Sequence, residues 1–378
     1  MPVMDFGGVE SRIITQSGLM NRERYDFRVC TFWKKGAAAR SVEALGVPVD
    51  ELGVDPNPKN PRALARLAEY VFSHDVDVVH ASILEANFQA ASLRLLPGAP
   101  SVAIEEVGMP IRSLRSRAAF GAIYRMADVV VGVSQKTCDA VKAQHWLPDR
   151  KVRLIYNAIN PRFLAPTVAP PSHRPLRFLA VGRLVEVKNQ ETLLRAMARL
   201  TVDERPQLHL VGEGPLRAHF ERRIVELGLT ASVKLLGFQS NVKELLDDAD
   251  AYLMPSFSEG TSISLAEAMA RARPVLTSKA DGIDEAMVGY APGWQVDARD
   301  VDAWAQGIRR LVALGEAGRA RLGDEARALV SRRMSTDTWR GELEALYDQL
   351  TAQTRSRRQT LRNRVGRRVS AAVFGARP

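Results

Sequence analysis

The stretch Ser258-Glu259-Gly260-Thr261-Ser262-Ile263-Ser264-Leu265-Ala266-Glu267 sets two carboxylates eight positions apart, with a glycine and two adjacent hydroxyls between them. Were the whole span helical, the Cα atoms of Glu259 and Glu267 would lie about 12 Å apart at 1.5 Å per residue. Retaining hydrolysis of a glycoside needs its two carboxyl groups about 5 Å apart across one anomeric carbon. The pair is therefore poorly spaced to act as nucleophile and acid on a single bond. Free amides at the start of the helix LAEAMARA would instead form a phosphate-binding surface, with the hydroxyls of Thr261 and Ser262 as further donors.

Further upstream, in LAVGRLVEVKNQETLLRAMARL, a strand ends at Val181, and Arg183 and Lys188 follow Gly182 before an amphipathic helix. Two cations at a strand end suit a diphosphate. The plainer alternative is that they form surface ion pairs with Glu186 or Glu191. Taken together, two carboxylate acceptors flanking a phosphate site suit an elongated ligand with hydroxyls at both ends and a diphosphate in its middle, as in a nucleotide sugar.

Such loops need strands and helices behind them. YDFRVCTFW, VDVVHAS, PSVAIEEVG, DVVVGVS and KVRLIYN are short β-branched or aromatic runs separated by helical stretches such as PRALARLAEYVFSH. After the proline-rich NPRFLAPTVAPPSHRP the rhythm resumes with LRFLAVGRL, QLHLVGEG, SVKLLGF, AYLMPS and PVLTS. Strand alternating with helix predicts an α/β protein of two doubly wound, parallel-sheet, Rossmann-like domains. The glycines at 7, 8, 182, 212, 214, 237 and 260 fall at strand ends, where such sheets bind ligands.

Composition narrows the classes. The 378 residues suffice for two globular cores, and no long uncharged apolar run or secretory leader is evident. A cytoplasmic setting is expected, with Cys30 and Cys138 as single buried thiols rather than a disulfide framework or metal site. The net charge of +10 lies mostly at one end, because eight arginines and no acid follow Thr351. The body lacks a basic stripe with interleaved aromatics, so nucleic acid is not an expected partner.

The motifs VGRLVEVKN, HLVGEGPLR, VKLLGF, MPSFSEGTSISLAEAMA and RPVLTSKADGIDE, in this order, resemble those of the retaining nucleotide-sugar glycosyltransferases of family 4, also called group 1, which have GT-B architecture. The resemblance implies domains at 1–162 (acceptor side) and 163–350 (donor side), with 351–378 as a basic tail. It implies that Arg183 and Lys188 bind the donor diphosphate and that Glu267 holds the ribose hydroxyls. Glu259 would lie near the donor sugar, and the backbone at Gly237 and Phe238 would meet the base. Gly260, Thr261 and Ser262 complete the donor set, and Phe6-Gly7-Gly8 looks like the glycine loop over the phosphates, with Gly8 as a donor contact. His80, ending VDVVHAS, and Glu105, beside Glu106 in SVAIEEVG, are the candidates for acceptor-side chemistry.

The implied reaction moves a hexosyl group from a nucleoside diphosphate sugar to a saccharide or lipid-linked hydroxyl with retention. No cofactor or metal is implied, since cations and helix amides take the metal's part and no Asp-x-Asp stands in a strand-end setting. A nucleotide-sugar epimerase of the same architecture and a catalytically silent nucleotide-sugar-binding subunit are the alternatives. Two further expectations concern the ends. Only MPVMD precedes the glycine loop, so either PVM is the first strand or an apolar strand of four or five residues is encoded upstream. In LRNRVGRRVSAAVF, Leu361, Val365, Val369 and Val373 recur every fourth residue among arginines, which suits an amphipathic helix on an anionic membrane surface or a solvated basic tail.

Overall fold

The computed structural model describes Met4 and residues 7–107, 114–167 and 175–374. It holds two compact units, Met1–Ile155 with Asp337–Pro378, and Tyr156–Thr336.

The second unit is built on six parallel strands: β7 (Arg177–Val181), β8 (Gln207–Val211), β9 (Val233–Gly237), β10 (Ala251–Met254), β11 (Val275–Ser278) and β12 (Gln295–Val296). Their order is β12-β11-β10-β7-β8-β9. The apolar runs read from the sequence become interior strands because helices cover both faces: Phe178, Leu179, Tyr252 and Val275 are fully buried. Helix Gln190–Ala198 turns Leu193, Leu194 and Met197 inward, and Val301–Ala313 contributes Trp304, Ile308 and Leu311. The strand order reverses between β7 and β10, which makes the carboxyl ends of these two strands the natural ligand crevice.

The first unit carries β1 (Val29–Thr31) and β2 (Val49–Glu51) as one parallel pair. Strands β3 (Val78–Ser82), β4 (Ser101–Glu106), β5 (Val129–Gly132) and β6 (Val152–Leu154) form a separate four-stranded parallel sheet in that order. Cys138 is buried in the core beneath this sheet, whereas Cys30 on β1 is only half-buried.

Two boundaries differ from the sequence reading. Residues 156–166 belong to the second unit: the single turn Pro161–Leu164 is capped by Asn160 and gripped by the fully buried Arg271. The guanidinium of Arg271 donates to the carbonyls of Phe163 (3.1 Å), Ala165 (2.6 Å) and Pro166 (3.0 Å) and pairs with Asp247 at 2.6 Å. The proline-rich break is therefore only partly a linker, and its residues 168–174 lie outside those described.

The second correction concerns the end of the chain. Helix Thr336–Phe374 runs without a break through the residues expected to divide domain from tail, and from Asp337 onward it belongs to the first unit. It buries Trp339, Leu343, Leu346, Tyr347 and Leu350. Three tail arginines find acids there: Arg355 with Asp77 (3.2 Å), Arg357 with Asp128 (2.8 Å) and Arg358 with Asp75 (2.8 Å). Thr354, also fully buried, exchanges a 2.7 Å hydrogen bond with Ser101 and donates to the carbonyl of Asp77. Acids distant in sequence thus neutralise part of what reads as an isolated basic segment. Leu361 is exposed, while the side chains of Val365, Val369 and Val373 lie outside the described residues.

Candidate active site at the β7–β10 crevice

Both candidate loops of the second unit leave the strands at the switch point. After β7 the chain passes Gly182 and Arg183 and makes a short turn, Glu186–Lys188. After β10 it passes Ser256 and Glu259 before helix Ile263–Ala270. The two loops are tied together: the Phe257 amide donates to the Val187 carbonyl at 2.8 Å, and Asn189, in the left-handed region, donates its side-chain amide to the carbonyls of Pro255 (2.9 Å) and Ala298 (2.8 Å).

This closure brings Lys188 onto Glu259. Their charged atoms stand 2.6 Å apart, with Glu259 nearly buried and Lys188 about a quarter exposed. Ser256 donates to the same carboxylate oxygen at 2.7 Å. The surface pairing that the sequence left open for Lys188, with Glu186 or Glu191, does not form; Glu191 is taken by Arg223 and His219. Arg183 is exposed, and among the described residues its side chain has no hydrogen bond or ion pair.

Close backbone packing shapes the floor. A Cβ at Gly212 would stand 2.1 Å from the Gly182 carbonyl oxygen, so only glycine lets the loop after β8 lie against the loop after β7. At Gly282 a Cβ would stand 1.9 Å from the carbonyl oxygen of Gly260, and the Gly282 amide donates to the Glu259 carbonyl at 3.1 Å. Glu259 is thus set from behind by the following helix. Gly237 ends β9 with φ at +71°, and Phe238 beyond it is exposed.

Helix Ile263–Ala270 begins at Ser262, whose hydroxyl accepts from the Leu265 amide at 3.3 Å. Ser262 is buried and serves as helix cap, while Thr261 beside it is half-buried. Glu267 sits in the helix, half-buried. Burial pushes its carboxyl up to about 7, with Arg162 working against the rise. Tyr252 braces this helix from β10, donating to Ser264 (2.9 Å) and to the Val181 carbonyl (3.3 Å).

The first unit treats its candidates differently. Gly8 opens helix Gly8–Leu19 behind the extended Gly7. Arg12 of this helix meets Glu105, at the end of β4, at 2.5 Å, and both side chains are almost fully buried. Ser82, at the end of β3, donates to the same carboxylate at 2.7 Å. Burial raises the Glu105 carboxyl, opposed by Arg12 and Ser82. Inward pairing, which fastens the helix to β3 and β4, is at odds with a catalytic role for Glu105; Glu106 is bonded by Tyr124. His80 shares a 2.8 Å hydrogen bond with Tyr347, which also accepts from Gln16. Burial holds its imidazole down at about 3, so it stays neutral and supports the last helix. The two have different causes: Glu105, near the end of β4, turns toward Arg12, whereas His80 stands at the centre of β3 rather than at its carboxyl end.

Sequence reasoning missed Asn189, Ser256, Tyr252 and Arg12. Ser256, three residues before Glu259, was the most readable of them; Arg12 lies in an ordinary helical stretch with nothing to mark it.

Two units of doubly wound, parallel α/β structure, with a polar crevice at a topological switch point, define the GT-B class. Comparison with known proteins agrees. The chain matches the models "Glycosyltransferase Family 4" over residues 6–163 and "Glycosyl transferases group 1" over residues 168–329, and it belongs to this glycosyltransferase family. It is 33% identical over 45% of its length to the amylovoran biosynthesis glycosyltransferase AmsK of Erwinia amylovora, covering 44% of that protein. It is 26% identical over 63% of its length to the N-acetylgalactosamine-N,N'-diacetylbacillosaminyl-diphospho-undecaprenol 4-alpha-N-acetylgalactosaminyltransferase of Campylobacter jejuni, covering 67% of it. The chain thus spans about half the length of several curated relatives it matches. Its fold is also that of Anabaena Alr3699/HepE, solved with UDP and glucose, at a TM-score of 0.75 and 19% identity over 90% of this chain and 96% of that one.

Proposed function

We propose that the protein transfers a hexosyl group from a nucleoside diphosphate sugar to a hydroxyl of a saccharide or lipid-linked acceptor, with retention and without a metal, in the assembly of a surface polysaccharide or glycolipid. The observation that carries this reading is the Lys188–Glu259 contact at the carboxyl ends of β7 and β10. A cation, a carboxylate and the start of a helix converge there on the crevice where doubly wound sheets bind nucleotides.

In this reading Arg183 and Lys188 neutralise the diphosphate as it departs, the kind of electrostatic stabilisation that dominates when the leaving group is an anion. The amides at Gly260 and Thr261 add donors to it. Glu267 accepts the ribose hydroxyls, and Phe238 and the Gly237 backbone border the base. Glu259, released from Lys188 by the diphosphate, faces the sugar. The leaving phosphate oxygen takes the proton of the acceptor hydroxyl. The bond from the anomeric carbon to the phosphate oxygen breaks as that from the anomeric carbon to the acceptor oxygen forms on the same face.

No helix among the described residues is long and apolar enough to cross a membrane. We assign contact with an anionic cytoplasmic leaflet to the arginines from Arg362 onward, since Arg355, Arg357 and Arg358 are engaged by acids of the first unit. Each arginine near such a surface contributes on the order of 1 kcal/mol. An acceptor carried on a lipid would share that surface.

The test is a panel of nucleoside diphosphate sugars screened for thermal stabilisation, where a donor at about 100 times its Kd adds about 2.7 kcal/mol. The stabilising donor is then incubated with EDTA, with and without acceptors, and the product's anomeric configuration is read by NMR. Stabilisation by none of them, or turnover that needs no acceptor, sinks the proposal; the second outcome points to an epimerase.

A further inference from the structure

In the first unit, Trp33 and Leu84 each stand two residues beyond the carboxyl end of a strand, β1 and β3 respectively. Doubly wound sheets take up their ligands at such ends. Both residues hold apolar surface in water there: Trp33 is 59% exposed and Leu84 is 42% exposed. The turn that presents Leu84 is strained. Ile83 has φ at +76°, a region that a β-branched side chain rarely enters and that costs on the order of 1 to 3 kcal/mol. The Ile83 side chain packs against the small core that contains Ala38 and Ala39, so the loop after β3 rests on the same core as the chain that follows β1.

The charges after β1 fall into two sets. Lys35 is tied down: its amide donates to the Glu51 carboxylate at 2.9 Å, and its ammonium pairs with Glu43 at 2.7 Å. Lys34 and Arg40 are exposed, and among the described residues their side chains make no hydrogen bond or ion pair. Together with Lys35 they line an open hollow of about 480 Å³ against the short helix Ala39–Glu43. One exposed apolar residue on a surface is ordinary. Two on neighbouring loops at strand carboxyl ends, with two unpaired cations following the indole in the chain, have the composition of a site for a sugar that carries an anion. The apolar C–H face of a pyranose packs on an indole, while an ammonium and a guanidinium take the anion.

We propose that the loops after β1 and β3 form the acceptor subsite, and that the acceptor is an anionic saccharide, charged through a phosphate at its anomeric carbon or through a ring carboxylate. The proposal rests on the transferase reading above and narrows its acceptor from saccharides in general to anionic ones. Trp33 and Leu84 support the ring, and Lys34 and Arg40 hold the anion. Glu85, half-buried and without a bonded partner among the described residues, accepts from a ring hydroxyl. Lys35 takes no direct part; its pairing with Glu43 and its amide bond to Glu51 keep the loop in shape.

The experiment titrates the full chain calorimetrically with three sets of probes: hexose 1-phosphates, hexuronic acids and methyl hexosides. One of the two anionic sets is expected to bind about tenfold or more tightly than the methyl hexosides, and which one it is identifies the source of the charge. Trp33→Ala, and the double change Lys34→Ala with Arg40→Ala, should each weaken that binding about tenfold or more, while Trp33→Phe keeps most of it. Thermal stabilisation by the donor, read on the same variants, should be unchanged, which also shows that they are folded. Equal affinity for charged and neutral probes, unchanged affinity in the double variant, or no binding of any probe at millimolar concentration would each overturn the proposal. So would a blue shift of Trp33 emission on anionic vesicles that no saccharide competes away, because a lipid surface would then be the occupant. Failure of the transferase reading shows elsewhere, as a wild type that no donor stabilises.

Discussion

Lys188 and Glu259 reach each other at 2.6 Å from loops that follow different strands of one sheet, 71 positions apart in the chain. A diphosphate would compete with Glu259 for Lys188. Lys188→Ala is therefore expected to weaken donor binding by about 1.5 to 3 kcal/mol, the range for charge-assisted bonds, or roughly ten- to a hundredfold in Kd. Glu259→Gln removes the competitor, so donor affinity should stay level or rise while kcat falls. Calorimetric titration with a donor, alongside steady-state rates, separates the two effects. Loss of affinity in the glutamine variant would contradict the competition.

Glu267 gives the site a pH dependence. Its carboxyl titrates near 7 in the folded protein, against 4.5 ordinarily. With Glu267 accepting ribose hydroxyls as proposed, its ionised form is the binding one, so donor binding should strengthen from pH 6 to pH 8, and in Glu267→Gln this dependence should disappear.

Stability should run the opposite way. The folded state holds the Glu267 proton more tightly than the unfolded chain, so this stabilisation is fully present below about pH 4.5 and is lost as pH rises through about 7. The full span is on the order of 3 kcal/mol. The difference in urea midpoint between the wild type and Glu267→Gln, followed from pH 5 to pH 8, should move in favour of the glutamine variant.

Arg12 and Glu105 form a buried pair, and removing one partner strands the other. Glu105→Ala should lower the unfolding free energy by about 3 to 5 kcal/mol, whereas the double change Arg12→Met with Glu105→Leu should recover much of the loss. Urea denaturation measures both. Full stability in Glu105→Ala, with activity lost, would restore Glu105 to the chemistry.

Truncations of the last helix divide its roles. A chain ending at Ala352 loses Thr354, Arg355, Arg357 and Arg358 and should be measurably less stable, while one ending at Gln359 keeps these contacts. Co-sedimentation with vesicles containing anionic lipid should be lost in the Gln359 form and be salt-sensitive in the full chain. Equal sedimentation of the two would remove the arginines from 362 onward from any membrane contact.

Much of this fold was legible because buried parallel strands are continuous apolar runs. Ten such runs read from the sequence became strands, whereas VDE at 49–51 and QV at 295–296 were missed as too short and too polar to signal themselves. Lys188, Glu259 and Glu267 were legible as candidates through their places at strand and helix ends, and the first two meet in the structure. Their meeting was not legible, since the Lys188–Glu259 contact depends on how two loops close. For Glu105, sequence does not show which way a polar side chain near a strand end points; for His80, it set the strand end two residues early, since β3 runs on to Ser82. The tail misled for a related reason: Asp75, Asp77 and Asp128, which neutralise its first arginines, lie more than 200 residues away.

The last helix also sets a timetable. The first unit is discontinuous, and its closing piece follows all of residues 156–336. At about 5 to 20 residues per second, the ribosome needs on the order of ten to forty seconds to make that intervening stretch. Throughout this interval Gln16, His80 and Ser101 lack Tyr347 and Thr354, their partners on the helix. The second unit, contiguous in the chain, can fold first, so the half of the protein that is begun earlier is finished later.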